Sequence, residues 1–322
     1  MLVSVIVPTF NRRDSLERAL DAIGAQHRDG WHLEVIVVSD GSTDGTVEML
    51  AARDDTSLTV IDQDNAGPAA ARNAGLEAAA GDLVVFIDDD VVAEPGCIAA
   101  HVRAHRGAST PTVVIGPLLT PSVELSPYVS WEQRMLEKQY DALGRGEYEP
   151  SARQFYTGNA SCLRSVLVSV GGFSDQYLRA EDVELGYRLA DAGLTFSFEA
   201  QAEAYHFAER SFASWIAIAA SYGENDVRFW RDHDQTWLVP QIRKEFGRRH
   251  RLIQTFTRVG VRFPLVRKLV SYFTPRVVES RLAERLPTVR RGLLSAAYNL
   301  EYFSALAAEI GGFSVFLRQR VD

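Results

Sequence analysis

GDLVVFIDDDVV, residues 81–92, passes from a polar turn through an apolar run into three consecutive carboxylates, Asp88, Asp89 and Asp90. A short apolar run rich in β-branched residues reads as a buried strand, with the anions standing at its carboxyl end. Unopposed, neighbouring carboxylates repel one another and lose hydration, so a divalent cation is their natural partner. Carboxylate oxygens suit a hard ion such as Mg2+ or Mn2+, and a cation held by one or two protein groups completes its shell with phosphates. A phosphorylated ligand is therefore expected. Taken alone, the stretch is equally an acidic turn after a strand.

The flanking sequence supplies the frame. Residues 3–7 and 34–38 are β-branched runs, each followed by a polar turn, and residues 15–26 between them carry Leu16, Ala19, Leu20 and Ile23 at helical spacing. That is a βαβ unit. Residues 46–53 and 69–80 read as further helices and 58–62 as a strand. The alternation predicts an α/β fold with a mixed, mostly parallel sheet flanked by helices and ligands at the carboxyl ends of its strands. Pro8 to Asn11, then residues 40–45, 62–67 and 88–90, all fall at those ends. No G-x-G-x-x-G follows the first strand and no G-x-x-x-x-G-K-[ST] occurs, which argues against a dinucleotide-binding Rossmann domain and excludes a P-loop.

Residues 112–207 continue the domain with more antiparallel character: 112–115, 195–198 and 203–207 read as strands around a helix at 182–192. From Phe212 the pattern is helical, broken by Pro240, Pro264, Pro275 and Pro287. Residues 293–317 form the longest apolar stretch, but Asn299, Glu301 and Glu309 within it favour amphipathic helices over a membrane span.

The 322 residues, 46% hydrophobic, suffice for one large α/β domain and an extension. Two cysteines, Cys97 and Cys162, make no disulfide framework and fit a reducing cytosol as buried small side chains. The opening LVSVIVP reads as a strand rather than an export signal. Net charge is −8, divided as +10 over residues 241–322 (16 Lys/Arg, 6 Asp/Glu) and −18 over residues 1–240 (18 against 36). The basic segment suits an anionic membrane surface, the acidic domain in cis or an oligomer interface, and the charge pattern does not choose among them.

VSVIVPTFNR (3–12), EVIVVSDGSTDGT (34–46), NAGPAAARNAG (65–75), GDLVVFIDDDV (81–91), GGFSD (171–175) and EDVELGYR (181–188) resemble, in order and spacing, the family 2 glycosyltransferases of the GT-A fold. The resemblance covers about residues 2–207. It implies an inverting, metal-dependent transfer of a sugar from a nucleotide diphosphate sugar, UDP by family default, to an acceptor hydroxyl. It implies a catalytic domain over 1–210, with a nucleotide-sugar half at 1–111 and an acceptor half at 112–210, ahead of a helical, basic extension at 211–322.

The resemblance also assigns roles. Pro8 and Thr9 line the nucleoside pocket, and Asp40 accepts from the base, while Ser39 departs from the commoner Asp. Arg72 approaches base or diphosphate, with an exposed helix arginine as the plain alternative. Asp88 and Asp90 end the D-x-D signature: Asp90 on the metal, Asp88 on ribose or metal-bound water, Asp89 between them. The metal would neutralise charge on the departing diphosphate. Asp182 matches the general base, or caps its helix, and Glu181 orients acceptor or base. His206 matches a further metal ligand whose imidazole favours Mn2+. Asp44 reads as a cap for the helix near Thr46, Asn65 and Gly67 as turn formers, and Glu184 with Arg188 as a helix pair. Tyr156, Gly158 and Asn159 are candidates to offer an amide to the acceptor, and Trp131, Trp215 and Trp230 to stack on sugars or fill a core.

The acceptor class stays open between polysaccharide, lipid-linked sugar, protein and small molecule, with the basic helices favouring a lipid-linked or membrane-proximal glycan. That puts the chain in the cytoplasm or peripherally at the inner face of a membrane. No nucleic-acid partner is expected, and oligomeric state is left open. The competing readings are a sugar-1-phosphate nucleotidyltransferase, for which PTFNR is not the glycine-rich basic loop required, and a non-catalytic nucleotide-sugar-binding or membrane-tethering scaffold.

Overall fold

Strand β1 (Leu2–Thr9) lies parallel to β2 (His32–Asp40) on one side and to β4 (Leu83–Ile87) on the other, and β2 in turn pairs with β3 (Leu58–Gln63). The crossovers are α1 (Arg13–Gly24), α2 (Thr46–Ala51) and α3 (Pro68–Ala78). This computed structural model describes residues 1–177 and 179–318. The chain forms two units: Met1–Val123 with Gln133–Ala208, and Glu124–Glu132 with Glu209 onward.

In the first unit, alternation along the strands sorts apolar side chains to two faces of the sheet. Val3, Val5 and Val7 meet Leu16, Leu20 and Ile23 of α1 and Ile98 and Val102 of α4 (Cys97–Gly107). On the other face Ile6, Ile36, Val84 and Phe86 meet Leu76 of α3 and Leu185 and Leu189. Each such side chain contributes about 1.5–3 kcal/mol when fully buried. The close approach of α3 depends on Gly75, where a Cβ would lie 2.5 Å from Ile6 Cγ2.

After β5 (Val91–Ala93) the chain runs through α4, β6 (Thr112–Ile115), β7 (Leu118–Leu119), α5 (Pro127–Gly144), β8 (Asn159–Leu163), α6 (Arg164–Ser169), α7 (Glu181–Asp191), β9 (Thr195–Phe198) and β10 (Ala204–His206). Among the described residues the main sheet has order β3-β2-β1-β4-β8-β6-β9, and β5-β10-β7 forms a second small sheet. β8, which the sequence pattern did not mark, is the antiparallel strand between β4 and β6, while β9 runs parallel to β6. The expected strand at 203–207 is β10, in the small sheet beside β5 and β7 rather than the main one. Both cysteines are buried and free.

The second unit is helical: α8 (Phe212–Asp232), α9 (Leu238–Arg248), α10 (Arg251–Arg262), α11 (Pro264–Val278), α12 (Arg281–Glu284), α13 (Pro287–Glu309) and α14 (Phe313–Arg318). Trp215 is fully buried, with Tyr128, Trp131, Phe212 and Tyr298 around its ring, so Trp131 and Trp215 serve a core. The apolar stretch 293–317 forms most of α13 and α14. Among the described residues no helix is long and apolar enough to cross a membrane. The basic segment 241–322 ends with residues 319–322 outside the described residues.

Candidate functional site

The loops at the carboxyl ends of β1 and β2 are laced together. Asn11, at φ +53°, accepts from the Thr43 amide through Oδ1 (2.8 Å), and its own amide donates to Ser42 Oγ (3.1 Å). Asp44 accepts from the Arg13 amide (3.0 Å) and from the amide and hydroxyl of Thr46. The cap position of α2 is Gly45, so Asp44 braces the turn from one residue earlier than the expected cap. Asp40 is buried at the end of β2, where it accepts from Gln63 Nε2 (2.7 Å) and from the amides of Ala66 (2.9 Å) and Gly67 (2.8 Å). With Asn65 donating to the Asp40 carbonyl (2.9 Å), these bonds build the turn before α3, as expected of Asn65 and Gly67. Ser39, beside it, is fully buried.

The Asp triplet meets two arginines and a histidine. Thr9, buried at the end of β1 after half-buried Pro8, donates its hydroxyl to Asp89 (2.8 Å). Arg12 donates to Asp89 (3.1 Å) and to Asp90 (2.5 Å). His206, at the end of β10, brings Nε2 to 3.4 Å from Asp90 Oδ1, and Gln133 of α5 donates to its Nδ1 (2.8 Å). Burial pushes the Asp89 carboxyl up to about 6, against the opposing pull of Arg12. Burial would raise Asp90 as well, but His206 and Arg12 outweigh it and hold that carboxylate well below its ordinary value.

Asp88 turns the other way. Its carboxylate takes Arg72 Nη2 at 2.7 Å, while Nη1 of the same guanidinium reaches Glu181 at 2.7 Å. Arg72 is thus no exposed helix residue: it is buried, and it ties the end of β4 to the start of α7. Burial would lower its pKa, but Asp88 and Glu181 reverse that. The turn before α7 fits because Gly172, at φ +67°, leaves room for Asn73, whose Oδ1 would be 2.5 Å from a Cβ there. Asn73 exchanges two 2.8 Å hydrogen bonds with the Phe173 backbone, and the Phe173 ring lies 5.7 Å below the Arg72 guanidinium. Arg188 binds Glu184 through two nitrogens, the expected helix pair, and donates to the carbonyls of Val170 and Gly172.

The cap of α7 is Ala180 in the left-handed region, so the expected capping role of Asp182 is corrected: it stands in the first turn, where it accepts from the adjacent Val183 amide (2.8 Å). Burial first, and then Glu181, push its carboxyl up to about 7 against the pull of Arg72. A carboxylate so poised takes up a proton readily near neutrality.

Asn159 is not a free acceptor-facing amide. It donates to the carbonyls of Pro117 (3.0 Å) and Ala202 (2.7 Å), and its Oδ1 meets His101 Nε2 at 3.0 Å. Ser161 links His101 (2.8 Å) and His105 (2.9 Å), giving both histidines a structural role that their sequence context did not reveal. Two residues of the site carried no assignment from sequence. Arg12 closes the stretch VSVIVPTFNR, three positions past the first strand, a signal that placed it near the site without giving it a role. Gln133 had none, lying 73 residues from the histidine that it holds.

A family model described as Glycosyl transferase family 2 matches residues 4–170. Validoxylamine A glucosyltransferase of Streptomyces hygroscopicus subsp. limoneus is 30% identical over 274 residues, covering 75% of this chain and 58% of its own. The chain spans about three fifths of the length of the curated relatives it first matches. Among solved structures, the mannosyltransferase PcManGT of Pyrobaculum calidifontis, in complex with GDP-Man and Mn2+, superposes with a TM-score of 0.64 at 21% identity, over 94% of this chain and 86% of that one. S. aureus TarS 1–349 in complex with UDP gives 0.54 at 17%, over 97% and 93%. At these identities the likeness establishes the fold, the GT-A arrangement. With the family model over more than half of its residues, the chain belongs to glycosyl transferase family 2.

Proposed function

We propose that this chain transfers a sugar, with inversion, from a nucleotide diphosphate sugar to an acceptor hydroxyl of a glycan or lipid-linked sugar. The observation that carries the reading is the Asp88–Arg72–Glu181 bridge, which joins the Asp triplet and the Glu181–Asp182 pair into one ionic network at the carboxyl end of the sheet. Asp182 is the base: its carboxylate takes the proton of the acceptor hydroxyl as that oxygen attacks the anomeric carbon. The bond from that carbon to the diphosphate breaks, and its electron pair leaves with the nucleotide. Glu181 and Arg72 orient the base, and Arg72 offers positive charge to the donor. Thr9, Pro8 and the loop held by Asp40 border the nucleoside.

The residues fit a divalent cation at Asp90 and His206. Arg12 pairs with Asp89 and Asp90, so a metal ion at Asp90 would share that carboxylate with the guanidinium or displace it. Gln133 Oε1 is buried without a partner while its amide nitrogen faces His206 Nδ1. Turning that amide about would satisfy Oε1 with an Nδ1–H and leave the Nε2 lone pair toward Asp90, the tautomer that a metal ligand needs. Among the described residues no group of three His, Cys, Asp or Glu gathers to hold a metal, so a cation here would need substrate oxygens to complete its shell. When bound, the ion supplies charge neutralisation on the departing diphosphate, and the imidazole favours Mn2+ over Mg2+.

Calorimetric titration with UDP, GDP and dTDP, with and without Mn2+, tests the donor site. Metal-dependent binding of one nucleotide, UDP first, that is lost in Asp90→Ala supports the reading. Failure of all three with folded protein moves the reading to an unusual donor or to the scaffold alternative. An acceptor product with a retained anomeric centre, read by NMR, would remove Asp182 from the role of base.

A further inference from the structure

We propose that the outward face of α11, with the α10–α11 corner and α12, docks onto an anionic lipid bilayer. α11 carries large apolar side chains on an exposed side as well as on its buried one. Thr274 and Val278 are buried and Val266 and Val270 partly so, which sets one stripe of the helix inward. The neighbouring stripe, Leu265, Leu269, Tyr272, Phe273 and Val277, follows the spacing of a single helical face and stands in solvent, with Leu265 66% and Tyr272 55% exposed. Phe263 at the corner and Leu282 on α12, 52% and 69% exposed, extend the same apolar character. Isolated apolar residues on a surface need no explanation, but a continuous helical stripe of large ones does.

The cations beside the stripe argue against two like faces meeting and suit an anionic partner. Residues 251–292 hold ten Lys/Arg and two acidic residues. Arg262, Lys268, Arg276, Arg281 and Arg285 are exposed beside the apolar stripe, and the Arg276 guanidinium lies 3.8 Å from the Tyr272 ring centroid. Two copies meeting through this face would bring like charges together. An anionic lipid surface instead accepts the apolar side chains into its boundary and the cations among its head groups. At ~1.5 Å per residue the helix is roughly 22 Å long, which suits a helix lying in the plane of the interface rather than crossing it. The inference stands apart from the transfer reaction, and nucleotide binding serves as its control.

The test is co-sedimentation of the full chain with sucrose-loaded vesicles of phosphatidylcholine alone or with roughly one third phosphatidylglycerol, with sedimentation velocity on the protein alone. Binding to the anionic vesicles only is expected, with release as NaCl rises from about 0.1 M to about 1 M and the screening length falls from ~10 to ~3 Å. Arg262→Gln/Lys268→Gln/Arg276→Gln should weaken binding about a hundredfold, and Leu269→Ser/Phe273→Ser about tenfold or more. All of these side chains are exposed, so circular dichroism and nucleotide affinity should stay unchanged. Absence of binding by folded protein, or binding that neither variant weakens, would overturn the proposal. So would a dimer that Leu269→Ser/Phe273→Ser dissociates, since the face would then belong to a second copy.

Discussion

The proposed mechanism rests its proton transfer on one carboxyl, that of Asp182. Burial and Glu181 lift it to about 7, and a base acts only when deprotonated, so kcat should fall as pH drops below about 7 and level off above it. Asp182→Asn should lose roughly 10²–10⁴ of kcat while nucleotide affinity holds, because the substitution removes a proton acceptor and leaves the donor pocket alone. A variant that keeps the rate, or a wild-type profile flat from about pH 5.5 to about pH 8.5, would assign the base elsewhere. In the proposed metal site Gln133 would act at one remove, through the ring of His206 that it contacts. Gln133→Leu preserves volume but leaves Nδ1 without its partner, and Mn2+ affinity measured by calorimetry in the presence of nucleotide should drop about 10–100-fold.

The element that sets this geometry is α3 with the glycine turn it grips. Arg72 points at Asp88 and Glu181 because Asn73, the next residue, is locked to the Phe173 backbone. Gly172→Ala adds a Cβ at φ +67°, within 2.5 Å of Asn73 Oδ1, and should cost about 1–3 kcal/mol in urea denaturation while slackening the Arg72 bridge. An unchanged midpoint would mean that the turn yields freely. The parallel frame was legible in sequence because period-two strands and helical stripes are local patterns, and so was the placing of the Asp triplet at a strand end, whereas Asp182 and His206 were singled out only by the family resemblance. β8 was not legible: the burial of Asn159 and Ser161 depends on His101, His105 and two distant carbonyls, and a window of sequence contains none of these partners. Arg12 and Gln133 escaped for the same reason. The cap of α7 escaped because Ala180 in the left-handed region has no compositional mark.

Across the whole molecule the charge is uneven, acidic over residues 1–240 and basic beyond, but stability against pH is decided by a few buried groups of the α/β unit. Burial holds His101 and His105 down to about 4 from 6.5, so between those values the unfolded chain binds more protons there, and stability falls on acidification. Asp89 and Asp182, pushed up from 3.8 to about 6 and about 7, do the reverse: the folded chain keeps protons that the unfolded chain releases, so their contribution is present at low pH and is lost as pH rises. Each shift is worth roughly 3–4.5 kcal/mol, and the two pairs nearly cancel over about pH 4.5–6.5. Metal-free protein denatured in urea should therefore vary by less than about 2 kcal/mol over that window. Asp89→Asn/Asp182→Asn removes one side of the balance, and the variant should lose about 3–5 kcal/mol between about pH 6.5 and about pH 4.5, beyond any uniform offset. Parallel stability curves for the two proteins would show that the carboxyls do not hold protons in the folded chain, and the acid limb expected of Asp182 would fall with them.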